Sequence, residues 1–303
     1  MRVLVFGARG QVARALAHAK WPKETSLIAL GRDAADFSRP ETLGRVVREH
    51  APDAMVIAAA YTQVDKAESE EALATTVNAV APGEIARAAS ALAIPVVHIS
   101  SDYVFDGEKD GFYVESDPVG PIGAYGRTKL AGEIAVREAN PKHLILRTSW
   151  VYDAAGTNFL RSMLRLAESC DEVRIVADQR GCPTAAGDIA GAIAHALPRI
   201  LRGEGKFGAY HAAGADWTTW HGFAEAIFEG LATRGLRRPR NTPIATADYP
   251  TPAQRPKNSR LACDAFARDF GIKLRGFRSA LPEILDEIFE PARQAPAKKG
   301  AAK

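Results

Sequence analysis

The first half of the chain alternates short apolar runs with helical patterns, and this alternation limits its possible folds more than any other feature. The predicted strands are 3–6, 26–30, 54–59, 95–99 and 144–146, and the predicted helices are 11–19, 41–50, 81–92 and 128–138. Strands separated by helices form a parallel sheet through right-handed crossovers, with helices on both faces. The predicted fold class is therefore α/β, a doubly wound parallel sheet of the Rossmann type.

The pattern changes after about residue 150, where long loops rich in glycine and proline appear at 178–186 and 241–258. We predict a dinucleotide-binding domain over 1–150, with returning segments from about 184–212. A smaller, mainly substrate-binding domain is predicted over 151–291. The tail at 292–303 is rich in alanine and lysine and is predicted to be disordered.

Composition excludes several classes of partner. The 39 lysines and arginines nearly balance the 36 acidic residues, and a net charge of +3 gives no nucleic-acid footprint. Cys170, Cys182 and Cys263 lack metal-ligand spacing and indicate free thiols in a reducing compartment. The first apolar run ends at Gly7, too early for a signal peptide or a membrane span. We expect a cytoplasmic protein without a metal site, a nucleic-acid partner or a membrane partner.

A glycine-rich turn follows the first predicted strand and opens the first predicted helix. Its residues Gly7, Gly10, Gln11 and Val12 are predicted to bind a dinucleotide. Glycines permit a tight turn, and the helix offers its positive N-terminal end to a diphosphate. The small residues Ala58, Ala59 and Ala60 end the third strand and are predicted to lie along the same cofactor.

The end of the second predicted strand bears on which cofactor is used. An acidic residue here would accept the adenosine 2′-hydroxyl, but Gly31 occupies the position. Arg32 follows it, and Arg9 lies in the glycine turn; two guanidinium groups suit a 2′-phosphate. We therefore predict a preference for NADPH, with NADH possible; the alternative is that both arginines are only solvated. A loop predicted to cover the adenine contains Asp36, Phe37 and Ser38.

Tyr125 and Lys129 are four residues apart and share one face of a predicted helix. A free tyrosine has a pKa of about 10. We expect the neighbouring ammonium to lower that pKa, which makes Tyr125 a candidate general acid. Lys129 is also predicted to hold the nicotinamide ribose. Ser101, at the carboxyl end of the fourth predicted strand, is predicted to orient a substrate carbonyl beside Tyr125.

Eight blocks of sequence together resemble the dTDP-4-dehydrorhamnose reductases of the extended short-chain dehydrogenase/reductase superfamily. They include Ser-Ser-Asp-Tyr-Val-Phe-Asp-Gly at 100–107, Tyr-Gly-Arg-Thr-Lys-Leu-Ala-Gly-Glu at 125–133 and Arg-Thr-Ser-Trp-Val-Tyr at 147–152. The others are 7–11, 58–60, 64–68, Asp-Gln-Arg-Gly-Cys-Pro-Thr at 178–184, and 249–261. The resemblance covers nearly the whole chain in order and stops before the tail.

The resemblance implies reduction of C4 of dTDP-4-dehydro-L-rhamnose by hydride from a reduced nicotinamide. It places the catalytic triad on Ser101, Tyr125 and Lys129. The residues that it implies for the sugar nucleotide are Asp102, Tyr103, Trp150, Arg255, Asn258 and Arg260. Trp150 is expected to offer a flat apolar wall to the deoxysugar.

The chain departs from the family pattern at a metal site that some members use to form a dimer. Ala15 and Gly187 stand where those members have acidic side chains. We therefore expect a monomer, or a homodimer that no metal bridges. Two alternatives to the reductase remain open: another nucleotide-sugar reductase or epimerase, and a non-catalytic regulatory subunit of a methionine-activating enzyme.

Overall fold

A computed structural model describes residues 1–289, and the predicted tail at 292–303 lies outside the described residues. Twelve strands form within this range. In chain order they are β1 Arg2–Phe6, β2 Ser26–Leu30, β3 Ala54–Ile57, β4 Val96–Ser101, β5 His143–Thr148, β6 Val151–Tyr152, β7 Glu172–Val176, β8 Arg180–Gly181, β9 Thr184–Ala185, β10 Gly208–His211, β11 Thr218–Thr219 and β12 Arg240–Ile244.

Eleven α-helices accompany the strands within residues 1–289. They are α1 Gln11–His18, α2 Leu43–His50, α3 Val64–Ala67, α4 Glu71–Thr75, α5 Ala81–Ala91, α6 Ala124–Ala139, α7 Phe159–Ser169, α8 Ala186–Leu201, α9 Trp220–Ala232, α10 Asp264–Phe270 and α11 Phe277–Phe289. Among these residues, every helix falls short of a membrane span in length or in hydropathy.

Six strands form one sheet in the order β10-β5-β4-β3-β1-β2, and every neighbouring pair is parallel. This confirms the predicted fold class. The order reverses between β1 and β3, because the chain moves outward to β2 and then returns to the other side of β1. A crevice at the carboxyl ends of the strands is expected at such a switch point. The other strands pair in twos, as β11-β8, β12-β7 and β6-β9.

Alternating side chains of β1 supply two separate cores, one on each face of the sheet. Val3 and Val5 pack in a core that α1, α8 and α10 cover. Leu4 and Phe6 pack in a second core, which α2 and α5 cover. All four side chains are at most 1% exposed, as a strand buried on both faces requires. A third core lies among α7, α9 and α11 in the second half of the chain.

Several boundaries differ from the sequence prediction, and two of them bear on the crevice. β4 continues to Ser101, two residues beyond the predicted end, so the serine closes the strand itself. α6 begins at Ala124 rather than 128, which places Tyr125 in its first turn. Within this first turn, Gly126 packs against the backbone of Tyr103 so closely that a Cβ would clash.

Candidate active site

A cleft of about 940 Å³ runs along the carboxyl edge of the large sheet. It is lined by every residue that we predicted to bind cofactor and by all three predicted catalytic residues. Four of the residues predicted to bind substrate also line it, namely Asp102, Tyr103, Trp150 and Arg255. Asn258 and Arg260 do not line it.

The glycine turn at one end of the cleft has a shape that only glycine permits. Gly7 has a φ of 98°, and a Cβ at this position would lie 2.7 Å from the backbone nitrogen of Ala59. The turn is fixed because the amides of Gly7 and Ala8 both donate to the carbonyl of Leu30, at 3.0 Å. Gly10 caps α1 without a side-chain hydrogen bond, and the first turn of α1 holds no acidic residue. The first amides of α1 are thus available to an anion.

The two arginines near the end of β2 are largely exposed at the mouth of the cleft. Arg9 lies 3.8 Å from Asp33, and Arg32 lies 3.4 Å from Asp36. Hydrogen bonds from Ser38 lower the pKa of Asp36, so this carboxylate is charged beside Arg32. Both guanidinium groups can turn toward a ligand, because ion pairs this exposed hold their partners weakly.

The loop that we predicted to cover an adenine joins the cleft to the core. Phe37 is only 5% exposed, and its ring centre lies 5.8 Å from that of Phe6. Its neighbours Asp36 and Ser38 face the cleft and are tied to each other by hydrogen bonds of 2.7 and 2.9 Å. Phe37 therefore anchors this loop, while its two polar neighbours are the parts placed to meet a ligand.

The predicted catalytic side chains lie together where β4 meets the start of α6; Ser101 and Lys129 are buried, and Tyr125 is partly buried. Lys129 donates from Nζ to the carbonyl oxygen of Ile99, at 2.7 Å. The hydroxyl of Ser101 donates to Asp102 at 2.9 Å, and its oxygen accepts from the amide of Tyr103 at 3.2 Å. The ring of Tyr103 meets the ring of Tyr125 edge-on, with centres 5.6 Å apart. A phenol, a hydroxyl and an amine are thus held on one wall of the cleft.

Burial, rather than the lysine, dominates the acidity of Tyr125. Burial raises the pKa of Tyr125 to about 12, and a hydrogen bond with Ser101 opposes this increase. This direction is opposite to the lowering that we expected from Lys129. The cause is the burial of the phenol itself, with a smaller contribution from the charge of Asp102. Lys129 is buried as well, and burial lowers the pKa of its amine to about 8, against the attraction of Glu133. A raised pKa keeps the phenol protonated, the state that a general acid needs before it donates.

Asp102 fixes the hydroxyl of Ser101 by a hydrogen bond. It is 2% exposed, and burial raises the pKa of its carboxyl to about 6, although hydrogen bonds from serines oppose this. One carboxyl oxygen accepts from Ser101 and the other accepts from Ser149, both at 2.9 Å. Both carboxyl oxygens of Asp102 therefore accept from serine hydroxyls of the protein, and the hydroxyl of Ser101 is oriented as a result.

Two acidic residues that we quoted only within a sequence block prove to build the site. Glu68 accepts a hydrogen bond of 2.8 Å from the amide of Ala124, so it caps the helix that carries Tyr125. Asp65 accepts from Arg255 at 2.9 Å and from the amide of Ala253 at 3.2 Å. No local sequence signal could have identified these two roles. Their partners are 56 and 190 residues away, which no local pattern shows.

A buried ion pair supports the catalytic helix from behind. Glu133 accepts from Arg147 at 2.7 and 2.9 Å, and the hydroxyl of Ser100 donates to the same carboxylate. Each charged side chain is at most 7% exposed. The pair ties α6 to β5 one helical turn beyond Lys129. The ion pair gives a structural role to Glu133, the last residue of the block at 125–133.

The residues from the block at 249–261 fall into two places. Arg255 faces the cleft, but its guanidinium already pairs with Asp65. Asn258 donates to the carbonyls of Lys109 and Gly111, at 2.6 and 2.7 Å, and so joins two loops. A contact between Asn258 and substrate stays a prediction, as does one for Arg255.

Arg260 is 8% exposed and lies between aromatic rings. Its guanidinium is 4.8 Å from the ring centre of Trp217 and 5.3 Å from that of Phe112. Its Nε donates to Asn258 at 2.7 Å. These contacts give Arg260 a structural role beside the cleft, and direct substrate contact by Arg260 also stays a prediction.

Trp150 lines the cleft in an arrangement that differs from the expected free wall. Its ring is stacked on that of Trp220, with centres 3.5 Å apart and planes 5° apart. Trp220 lines the cleft as well and was missed by sequence analysis, since an isolated tryptophan at a helix start gives no local signal.

Within residues 1–289, no group of three or more histidine, cysteine, aspartate or glutamate side chains is placed to hold a metal ion. Gly187 lies on the exposed first turn of α8, and Ala15 lies on α1, which packs beside it. The expected absence of a metal-bridged dimer stays a prediction.

Known proteins match the chain over almost its full length. The family model described as the RmlD substrate binding domain matches residues 1–289. The dTDP-4-dehydrorhamnose reductase of Burkholderia thailandensis is 48% identical over 295 residues, covering 93% of this chain and 97% of the relative. That of Sinorhizobium fredii is 46% identical over 287 residues, covering 94% and 97%. The crystal structure of the Bacillus anthracis dTDP-4-dehydrorhamnose reductase in complex with NADP has a TM-score of 0.87 and 31% identity, covering 94% of this chain and 99% of that one. The chain thus belongs to the dTDP-4-dehydrorhamnose reductase family.

Proposed function

We propose that this protein reduces the C4 keto group of dTDP-4-dehydro-L-rhamnose to give dTDP-L-rhamnose, with NADPH as the reductant. One observation carries the proposal: Ser101, Tyr125 and Lys129 line the same cleft as the glycine turn and the uncapped N-terminus of α1. The identity of the substrate rests on the names of the relatives, and the cofactor rests on the NADP of the Bacillus anthracis structure together with Arg9 and Arg32.

The residues at the glycine turn fit a dinucleotide. Because Gly7 lacks a Cβ, the turn packs directly against the backbone of Ala59 at the end of β3, and the first amides of α1 face the cleft where a diphosphate would lie. The available amides of α1 and its positive end would hold the phosphates. Arg9 and Arg32 would meet a 2′-phosphate at the mouth of the cleft. The reduced nicotinamide would supply the hydride to C4.

The remaining chemistry belongs to the protein. The hydroxyl of Ser101 donates its one proton to Asp102 in the unliganded site. On substrate binding it would turn that proton to the C4 carbonyl and hold the carbonyl near the phenol of Tyr125. As C4 accepts the hydride, its oxygen becomes an alkoxide. Tyr125 would transfer its proton to that oxygen, because an alkoxide is a much stronger base than a phenolate. Lys129, mostly protonated at neutral pH, would stabilise the phenolate that remains.

The test is to supply the purified protein with dTDP-4-dehydro-L-rhamnose and either NADPH or NADH, to follow the loss of nicotinamide absorbance, and to identify the product. The proposal predicts one dTDP-L-rhamnose for each cofactor oxidised, with NADPH used more efficiently. Conversion of the sugar without net oxidation of added cofactor would support an epimerase instead. Absence of any turnover, with a partner enzyme that coelutes, would support the regulatory subunit.

A further inference from the structure

The backbone of Trp150 is held in an unfavourable conformation. Its φ is 47°, in the left-handed region that bulky side chains avoid. Such a conformation costs about 1–3 kcal/mol and persists only where the surroundings enforce it. The carbonyl of Trp150 accepts a hydrogen bond of 3.2 Å from the amide of Thr184, and Val151 pairs with Thr184 in the β6-β9 ladder. The main chain on the carboxyl side of Trp150 is thereby fixed.

Gly181 lies against one face of the Trp150 indole. A Cβ built on Gly181 would be 2.5 Å from Nε1 and 2.6 Å from Cζ2, and closer still to Cε2, the atom bonded to both. A point beyond the edge of the ring would be nearer to the two outer atoms than to Cε2, so Gly181 lies over the ring plane. Gly181 is absent from the residues with positive φ, which means that its backbone would accept alanine and that only the indole excludes a side chain.

Trp220 covers the opposite face. Its ring is parallel to that of Trp150 and nearly overlies it, which leaves no room for Gly181 on the same side. Trp220 is itself fixed, because its Nε1 donates to Gln179 at 3.2 Å. The amide of Gln179 donates in turn to the hydroxyl of Thr246 at 3.1 Å. The indole of Trp150 is therefore clamped on both faces, and only its edge is left for the cleft.

We propose that Gln179, Gly181 and Trp220 are positioning residues that hold the edge of Trp150 in the sugar-binding part of the cleft. Three members of the block at 178–184 act on the same residue: Gln179 through Trp220, Gly181 through the ring face, and Thr184 through the backbone. A rigid edge orients the sugar ring, and orientation errors of about 1 Å can cost about 100-fold in rate.

The proposal rests on the proposed function and is tested with the variant Gly181→Ala. Its new methyl group displaces the indole, so kcat/KM for the sugar nucleotide should fall by at least about tenfold, while KM for NADPH changes little. The stacked pair should give an exciton couplet in the ultraviolet circular dichroism spectrum, and Gly181→Ala should weaken it. The matched control is Gly191→Ala in α8, where a Cβ would meet nothing within 4 Å. Both kinetics and couplet should persist in the control.

Two substitutions of Trp220 test the same inference in case Gly181→Ala does not fold. Trp220→Phe keeps a flat ring against Trp150, whereas Trp220→Leu removes it. The leucine variant should lose about tenfold in kcat/KM for the sugar, and the phenylalanine variant should recover most of it. Wild-type kcat/KM in Gly181→Ala or in Trp220→Leu, with the couplet lost, would overturn the inference while the proposed function stands. A wild-type protein without reductase activity would overturn the proposed function, and the inference with it.

Discussion

The two ends of the cleft are built by different means. At the end proposed for the cofactor, the main chain supplies the shape through a positive φ at Gly7 and the free amides of α1. At the end proposed for the sugar, side chains hold one another: Asp102 holds Ser101, and Trp220 holds Trp150. The comparison teaches that the glycine turn tolerates almost no substitution at Gly7, whereas the shape of the other end depends on many side-chain contacts. The predictions below test that contrast.

The largest effect is expected for Tyr125→Phe, which removes the proposed proton donor and keeps the ring that packs on Tyr103. Turnover should fall by about 100-fold to 10,000-fold, the usual contribution of a general acid. Binding of NADPH, followed by fluorescence titration, should stay near that of the wild type because the glycine turn is untouched. Near-normal turnover would remove Tyr125 from its role.

Gly7→Ala tests the backbone end of the cleft. The new Cβ would lie against the amide of Ala59, and alanine would have to adopt a φ of 98°. Such strain costs about 1–3 kcal/mol. We expect a lower melting temperature and at least about a tenfold weaker affinity for NADPH, since each factor of ten corresponds to about 1.4 kcal/mol. Gly191→Ala serves as the control, and equal behaviour of the two variants would contradict the account of the turn.

Arg9→Ala and Arg32→Ala test the choice of cofactor. Each change should raise KM for NADPH by about tenfold, because a charge-assisted contact with a phosphate is lost, and should leave KM for NADH nearly unchanged. Thermal stability should not change, since both side chains are more than three-quarters exposed. If KM for both cofactors rises equally, the arginines contact some other part of the dinucleotide.

The smallest effect concerns pH. Burial lowers the pKa of Lys129 to about 8, so the amine of the free protein loses its proton as the pH rises through about 8. The value of kcat/KM should therefore be halved near pH 8 and fall further above it, because the phenolate of Tyr125 loses its stabilising charge. Tyr125 itself, with a pKa of about 12, stays protonated over this range. A flat profile up to pH about 10, the region of an unperturbed lysine, would contradict this assignment.

Linkage gives the same titration a second readout. The pKa of Lys129 in the folded protein lies below its unfolded value of about 10.4. Between these two values the unfolded chain binds more protons than the folded one, so the free energy of unfolding rises with pH. The cost of burying the ammonium of Lys129 is thus lost as the pH rises from about 8 to about 10.4. Lys129→Met removes this contribution, and chemical denaturation at several pH values would detect the difference.

What sequence could predict follows from the same contrast between the two ends. The parallel sheet, the glycine turn and the grouping of Ser101, Tyr125 and Lys129 were predictable, because strand ends and helix faces obey local periodicity. The lowered pKa of Lys129 and the position of the Trp150 ring were not predictable, because they depend on burial and on contacts between residues distant in sequence. Trp150 and Trp220, for example, are 70 residues apart in the chain.

The resemblance named residues whose surroundings it did not predict. It implied a flat face at Trp150, where the structure leaves an edge, and direct substrate contact at Asn258, whose amide joins two loops. Trp220, which stacks on Trp150, and Lys109 and Gly111, whose carbonyls accept from Asn258, lie outside the sequence blocks that carry the resemblance.

The most direct test of the central claim follows the hydride itself. The protein would be supplied with dTDP-4-dehydro-L-rhamnose and NADPH that carries deuterium at the transferable position, and the product would be examined by nuclear magnetic resonance. We predict one deuterium at C4 of dTDP-L-rhamnose in the wild type and almost none formed by Tyr125→Phe in the same time. Product that lacks deuterium at C4, or a Tyr125→Phe variant that delivers it at the wild-type rate, would contradict the account.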